Sequence, residues 1–284
     1  VLSLIHRPKR YLAAEHARAP GTLADKLTQL REMAKERPPH PRLWKRAKHF
    51  CPGTRSERRD WCARVWWGIA AGELLRVHLY DRASRAQAMD LVLPPDLSAL
   101  DPARTGRGAI LAAAHLGPPK FAMNLVLDRF AKPLIVTNTQ DMPDWQRAEE
   151  GGFLNPRDPQ ARAQILLRGA VQLRRGGVFF AAPDGKQTRD TLGVEGFGQH
   201  WEFSVGLPAL ARKLKADSFV FLALWEGERI ALRCTPITVP AELAPEDHHR
   251  AWIEAYWRSL SSVIASSPEN LRFLAPPLRK EFTR

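Results

Sequence analysis

Two stretches of this chain set a chemically capable residue at the end of an apolar run. In GAILAAAHLGPPK the run from Ala109 to Ala114 ends at His115. In VFFAAPDGKQTRD residues 178 to 183 lead to Asp184, followed by Gly185, Lys186 and Arg189. A histidine with a near-neutral pKa can take a proton from a hydroxyl or amine as that group attacks a carbonyl. Lysine or arginine can hold a phosphate or a developing oxyanion. Open α/β sheets bind their ligands beyond the carboxyl ends of the strands. If these two strands are neighbours, their loops share one rim, and His115 meets Asp184, Lys186, Gln187 and Arg189 there. Gly185, Gly193, Gly196 and Gly198 would let the second loop approach a ligand closely.

Other chemistries lack their residues. There is no GxSxG elbow for a serine esterase, and no GxGxxG or GxxxxGK[ST] for a nucleotide. Cys51, Cys62 and Cys234 are too widely spaced for a disulfide framework or a zinc site. His248 and His249 are adjacent, which is not ligand spacing on a helix, so no metal is expected.

The elements that must position these residues follow from periodicity. TLADKLTQLREMAKE, residues 22 to 36, has a Thr cap and then Leu23, Leu27, Leu30 and Met33 at helical spacing. Residues 57 to 80 read as one long helix with Trp61, Val65, Ile69, Leu74, and His78 or Leu79 on its apolar stripe. Strand, turn, helix and strand follow over residues 108 to 139. A polar loop, a helix from Pro159 to Arg174 and the strand before Asp184 come next, then a long loop rich in glycine and charge. Phe203, Leu207, Leu210 and Leu214 mark a further helix. FVFLALW, 219 to 225, is a fully apolar strand, and the alternating stretch 229 to 239 should return antiparallel at the sheet edge. A long helix begins near His248 and breaks at Pro268. The expected architecture is therefore α/β: a mostly parallel central sheet covered by helices on both faces, an antiparallel edge strand and a helical N-terminal region. Residues 1–56 form a basic helical lead-in or arm, and residues 57–284 the α/β domain.

Charge bounds the partners. The 284 residues carry 43 Lys and Arg against 30 Asp and Glu, a net +13. Within residues 1 to 60 the balance is 15 against 6, so much of the excess sits there. Such a balance favours an anionic partner: nucleic acid, an anionic membrane surface or a phosphorylated cofactor. No nucleic-acid module or regular interleaving of aromatic and basic residues is present, so no nucleic acid is expected. No run of 18 apolar residues and no signal peptide is found, so no membrane-spanning helix is expected.

Taken in order, these segments resemble the lysophospholipid acyltransferase superfamily, and most of all its branch of bacterial lipid A biosynthesis (lauroyl/myristoyl) acyltransferases. The resemblance runs over roughly residues 57 to 275. In the family a strand ends in a histidine with an acidic residue five positions on. Here His115 and Gly117 match, and the acidic position holds Lys120. APDGKQTRD resembles the family's strand ending in Pro-Asp or Pro-Glu-Gly, and GVEGFGQ its glycine-phenylalanine element. GLPALARKLKADSFVFLALWEGERIALRCTPITV and YWRSLSSVIASSPENLRF resemble its helix, its strand pair and its terminal segment.

The resemblance implies transfer of a fatty acyl group from an acyl thioester to a hydroxyl or amine acceptor, with His115 as general base and no permanently bound cofactor. The donor would be acyl-CoA or an acyl carrier protein, and the acceptor a lipid or amine. Asp184 is the second catalytic candidate. Lys120, Arg157, Arg162, Gly185, Lys186, Arg189, Glu195 and Phe197 are the candidates for substrate contact, with an apolar slot along Phe121 to Leu127 and at Phe197. A lysine at the acidic position cannot accept the imidazole proton, and its charge opposes a protonated ring. Either another carboxylate, Asp184 or Glu195, orients His115, or the acceptor is an amine needing less help, or the protein is a catalytically inactive homologue that binds an acyl carrier or lipid. The implied location is cytoplasmic, or peripheral on the cytoplasmic face of the inner membrane.

Overall fold

The computed structural model describes residues 17–94, 97, 100, 108–139, 142–149, 152–184 and 190–272. Helices α1 (Leu23–Glu36), α2 (Pro41–Phe50), α3 (Arg55–Tyr80) and α4 (Arg85–Met89) precede the first strand. Then come β1 (Ala109–Ala112), α5 (Pro119–Arg129), β2 (Leu134–Val136), α6 (Asp144–Glu149) and β3 (Gly152–Leu154). They are followed by α7 (Pro159–Arg174), β4 (Val178–Ala181), β5 (Thr191–Gly196), β6 (Gln199–Ser204) and α8 (Gly206–Leu214). The antiparallel pair β7 (Asp217–Glu226) and β8 (Arg229–Pro236), α9 (Pro245–Ser266) and a 3-10 turn (Pro268–Asn270) complete the order.

The central sheet runs β3-β2-β4-β1-β7-β8, parallel throughout except for β8 against β7. Parallel strands need covering on both faces, and these strands divide their side chains in two by simple alternation. Ile110, Ala112, Phe179, Ala181, Val220, Leu222 and Leu224 share one core with Trp252, Ile253, Tyr256 and Leu260 of α9. Ala109, Leu111, Val178, Phe180, Phe219, Phe221 and Trp225 share the other with Phe121 and Val126 of α5. Helix α3 feeds both cores: Trp61, Val65 and Ile69 enter the first, and Trp67, Ala70, Ala71, Leu74 and Leu79 the second. Its start is fixed by a capping box between Thr54 and Glu57.

Helix α1 begins with its own capping box, Thr22 with Asp25, and buries Leu23, Leu27 and Leu30 in the α3–α5 core. Helix α2 buries Leu43 and Ala47 in the other core. Trp67 ties α1 down directly, its indole N–H donating to the carbonyl of Leu27 at 3.2 Å. Among the described residues, no helix is long and apolar enough to cross a membrane.

Two segments expected as loops carry structure. The glycine-rich stretch after Asp184 contains the β5–β6 hairpin, paired from Thr191↔Ser204 to Gly196↔Gln199. Its glycines and charges mask the strand signal, yet Gln199, Trp201 and Phe203 alternate inward along β6. Phe203 therefore belongs to this strand and not to the helix after it, which starts at Gly206. The polar stretch after β2 holds α6 and the short edge strand β3, whose paired residues are only Gly152–Leu154.

Candidate functional site

Register brings the two capable residues together. β1 pairs in parallel with β4, with Ala112 opposite Ala181. His115 and Asp184 each stand three residues beyond that pair, so they leave the sheet at the same level on neighbouring strands. Neighbouring strands lie about 4.8 Å apart, within reach of a short carboxylate. One oxygen of Asp184 accepts the backbone N–H of His115 at 2.7 Å, and the other lies 2.9 Å from Nδ1 of its ring. The carboxylate thus grips both the backbone and the side chain of the histidine.

This grip defines the ring chemically. An ionised carboxylate can only accept, so Nδ1 carries the proton and Nε2 is left as the basic nitrogen. The Asp184 charge raises the pKa of His115 above its ordinary value; burial, Arg272 and Lys120 oppose that shift. Asp184 itself is buried, whereas the imidazole keeps 42% of its side-chain surface open. The phenol of Tyr256, from α9, donates to the carbonyl of Ala113 at 2.8 Å and supports the strand end just before His115. Burial, and then the Asp184 charge, hold the Tyr256 pKa well above its ordinary value, so the phenol stays protonated.

The turn after His115 is fixed by the chain's last described segment. Gly117 has φ +54, and a Cβ there would lie 2.2 Å from the carbonyl oxygen of Ala223, so only glycine fits. Its N–H donates to the carbonyl of Asn270 at 2.7 Å. The buried Asn270 side chain then serves β7, accepting from the N–H of Trp225 at 2.7 Å and donating to its carbonyl at 3.1 Å. Leu116 and Leu271 form an antiparallel bridge. Gly68 of α3 lets the same segment pass, because a Cβ there would meet the Glu269 backbone. Arg64 pairs with Glu269 at 2.7 Å, and Arg272 with Glu73 at 3.6 Å. Residues 268–272 thus form a strap from α3 across to the His115 turn.

The other candidates are dispersed. Lys120 is turned toward the end of β2, where its amine donates to the Thr137 hydroxyl at 2.9 Å and the Asn138 carbonyl at 3.0 Å. Glu195 pairs with His200 across the β5–β6 hairpin at 2.6 Å, not with His115. Phe197 has φ +56 at the hairpin turn and packs against Phe50 and Trp257. Phe121 lies in the opposite core, so Phe197 and the α5 residues do not line one slot. Arg157 and Arg162 are exposed around the start of α7. Gly185, Lys186 and Arg189 lie outside the described residues. Among the described residues no group of three or more His, Cys, Asp or Glu could hold a metal ion.

Sequence reasoning missed Tyr256, Asn270, Arg272 and Glu73 at this rim. The signals in that region are the break of the long helix at Pro268 and the resemblance of its closing stretch to the family's terminal segment, and neither singles out these residues. No family model matches the chain. Over 229 residues the chain is 24% identical to the Vi polysaccharide export protein VexE of Salmonella typhi, an alignment covering 76% of this chain and 33% of that protein. The chain thus spans about a third of the length of that curated relative.

Proposed function

We propose that the protein is an acyltransferase that moves a fatty acyl group from an acyl thioester to a hydroxyl or amine acceptor. The donor is acyl-CoA or an acyl carrier protein. The observation carrying this reading is the double grip of Asp184 on His115, which leaves Nε2 as a base at the open end of the sheet. In the reaction Nε2 takes the proton from the acceptor as its oxygen or nitrogen bonds to the thioester carbonyl carbon. The tetrahedral intermediate then collapses, the carbon–sulfur bond breaks, and the thiolate leaves with the proton from Nε2. Asp184 stabilises the imidazolium formed between the two steps. No permanently bound cofactor is required by this scheme.

The net charge of +13 suits an acidic carrier protein, the phosphates of coenzyme A or an anionic membrane. Helix α7 exposes Leu166, Leu167 and Val171 among arginines, which suits peripheral contact with such a membrane. This favours a position on the cytoplasmic face of the inner membrane, where acyl thioesters are found. The similar protein named for polysaccharide export makes a saccharide-bearing hydroxyl the first acceptor to offer.

The competing reading is a catalytically inactive homologue that binds an acyl carrier or lipid. The cation at position 120 favours it, since the superfamily resemblance calls for a carboxylate there. Release of free thiol from acyl-CoA and acyl-carrier protein separates the two. Acceptor-dependent release by the wild type, lost in His115→Ala, supports the transferase. Donor binding without turnover, unchanged in His115→Ala, overturns it in favour of the binding protein.

A further inference from the structure

The bridge between Leu116 and Leu271 has a consequence for the residues beside it. In an antiparallel pair the register runs in opposite directions, so His115 stands opposite Arg272 just as Gly117 stands opposite Asn270. Residues directly opposite in such a pair point to the same side, with Cβ atoms about 5 Å apart. Arg272 therefore shares the face of His115. Its guanidinium lies 3.6 Å from Glu73, close enough for an ion pair but too far for a hydrogen bond. Its side chain keeps 32% of its surface open.

The charged and titratable groups around the ring and around Arg272 come from five directions. Asp184 follows β4, Lys120 is on α5, Glu73 and Arg76 are on α3, Tyr256 is on α9, and Arg272 is on the strap. Tyr256 stays neutral. Arg76 is the closer partner of Glu73, at 3.0 Å, which leaves the strap arginine the less committed of the two.

We propose that Arg272 is the anion-holding residue of the His115 site, and that its guanidinium takes up the negative charge that develops on the acyl carbonyl oxygen during transfer. This rests on the acyltransferase reading above. As the acceptor oxygen bonds to the carbonyl carbon, the carbonyl π pair moves onto oxygen beside Arg272, while the acceptor proton moves to Nε2 of His115. When the oxyanion re-forms the carbonyl, the carbon–sulfur bond breaks, and the thiolate carries away that proton. Base and anion holder thus come from distant parts of the chain and meet where the strap is pinned by Asn270 and by the bridge between Leu116 and Leu271.

Steady-state thioester cleavage by wild type, Arg272→Lys and Arg272→Gln tests this, with thermal melting to confirm the fold. The expected result is a kcat loss of roughly 100- to 1,000-fold in Arg272→Gln with little change in KM. Arg272→Lys should recover part of it. An unchanged kcat, or a loss confined to KM, overturns the proposal while leaving the acyltransferase reading intact. An inactive wild type overturns both. Adjacency has its own readout in NMR titration of the histidine rings, with the His115 signals assigned by their loss in His115→Ala. Removing the cation should move the His115 titration to higher pH, and an unmoved titration overturns the placement of Arg272 beside the ring.

Discussion

Asp184→Asn tests the centre of the mechanism. An asparagine of the same shape can keep one of the two contacts by accepting the His115 backbone N–H through its oxygen. Its amide nitrogen then faces Nδ1 and can only donate, which turns the ring into the tautomer with the proton on Nε2. The base is thereby occupied by a proton it cannot use. Loss of the correct tautomer in a His–Asp pair lowers turnover by about 10⁴-fold, or about 5 kcal/mol of barrier. The stability cost is smaller, about 1 to 3 kcal/mol, because both hydrogen bonds persist but lose their charge assistance. The assay is thiol release against pH, beside ring NMR. In the wild type the histidine pKa is raised, chiefly by Asp184, so activity should climb through a value above the ordinary 6.5 as the ring loses its proton. The stabilising ion pair has the opposite trend. It is fully present below about 6.5, where His115 is charged in both folded and unfolded chains, and it fades as pH rises through the raised folded value. In Asp184→Asn the titration should move down and this pH dependence of stability should shrink. Turnover within twofold of wild type, or an unmoved titration, would refute the orienting role of Asp184.

Three further outcomes follow from the packing around the site. Gly117→Ala should lower stability by about 2 kcal/mol or more in denaturant melts, since it combines a left-handed φ with a contact against the Ala223 carbonyl. Asn270→Ala should cost about 2 to 5 kcal/mol by the same measurement, because it leaves both backbone groups of Trp225 buried without their partner. Cys62 is buried, with its pKa pushed up to about 11 chiefly by that burial, so a thiol reagent at pH 8 should modify Cys51 and Cys234 well before it.

The strands bearing His115 and Asp184 are legible in sequence because each is a short apolar run between turn signals. Their meeting is not: 69 residues separate them, and only the order β4-β1 and its register put them at one level. The long helix 55–80 is legible as a helix, while its service to two cores emerges only once the sheet is assembled. The β5–β6 hairpin escapes because Gly193 and Gly196 read as loop residues. Their lack of a side chain instead makes room for the His200 ring and the Trp257 ring. Arg272 escapes for a different reason. No local pattern marks a cation that faces the histidine through one bridge from a distant part of the chain.

The strap also gives the site a birth order. A chain made from its N-terminus lays down β1, β4 and the His115–Asp184 level long before Pro268 to Arg272 exist. Until then the Trp225 backbone lacks its asparagine, the Gly117 turn lacks its acceptor, and the rim lacks its strap arginine. A nascent polypeptide halted before Pro268 would thus hold His115 and Asp184 without the parts that fix and complete their surroundings. On the acyltransferase reading proposed above, competence for transfer would arrive together with the final piece of the described fold, and the unfinished chain would have little means of acting on a donor prematurely.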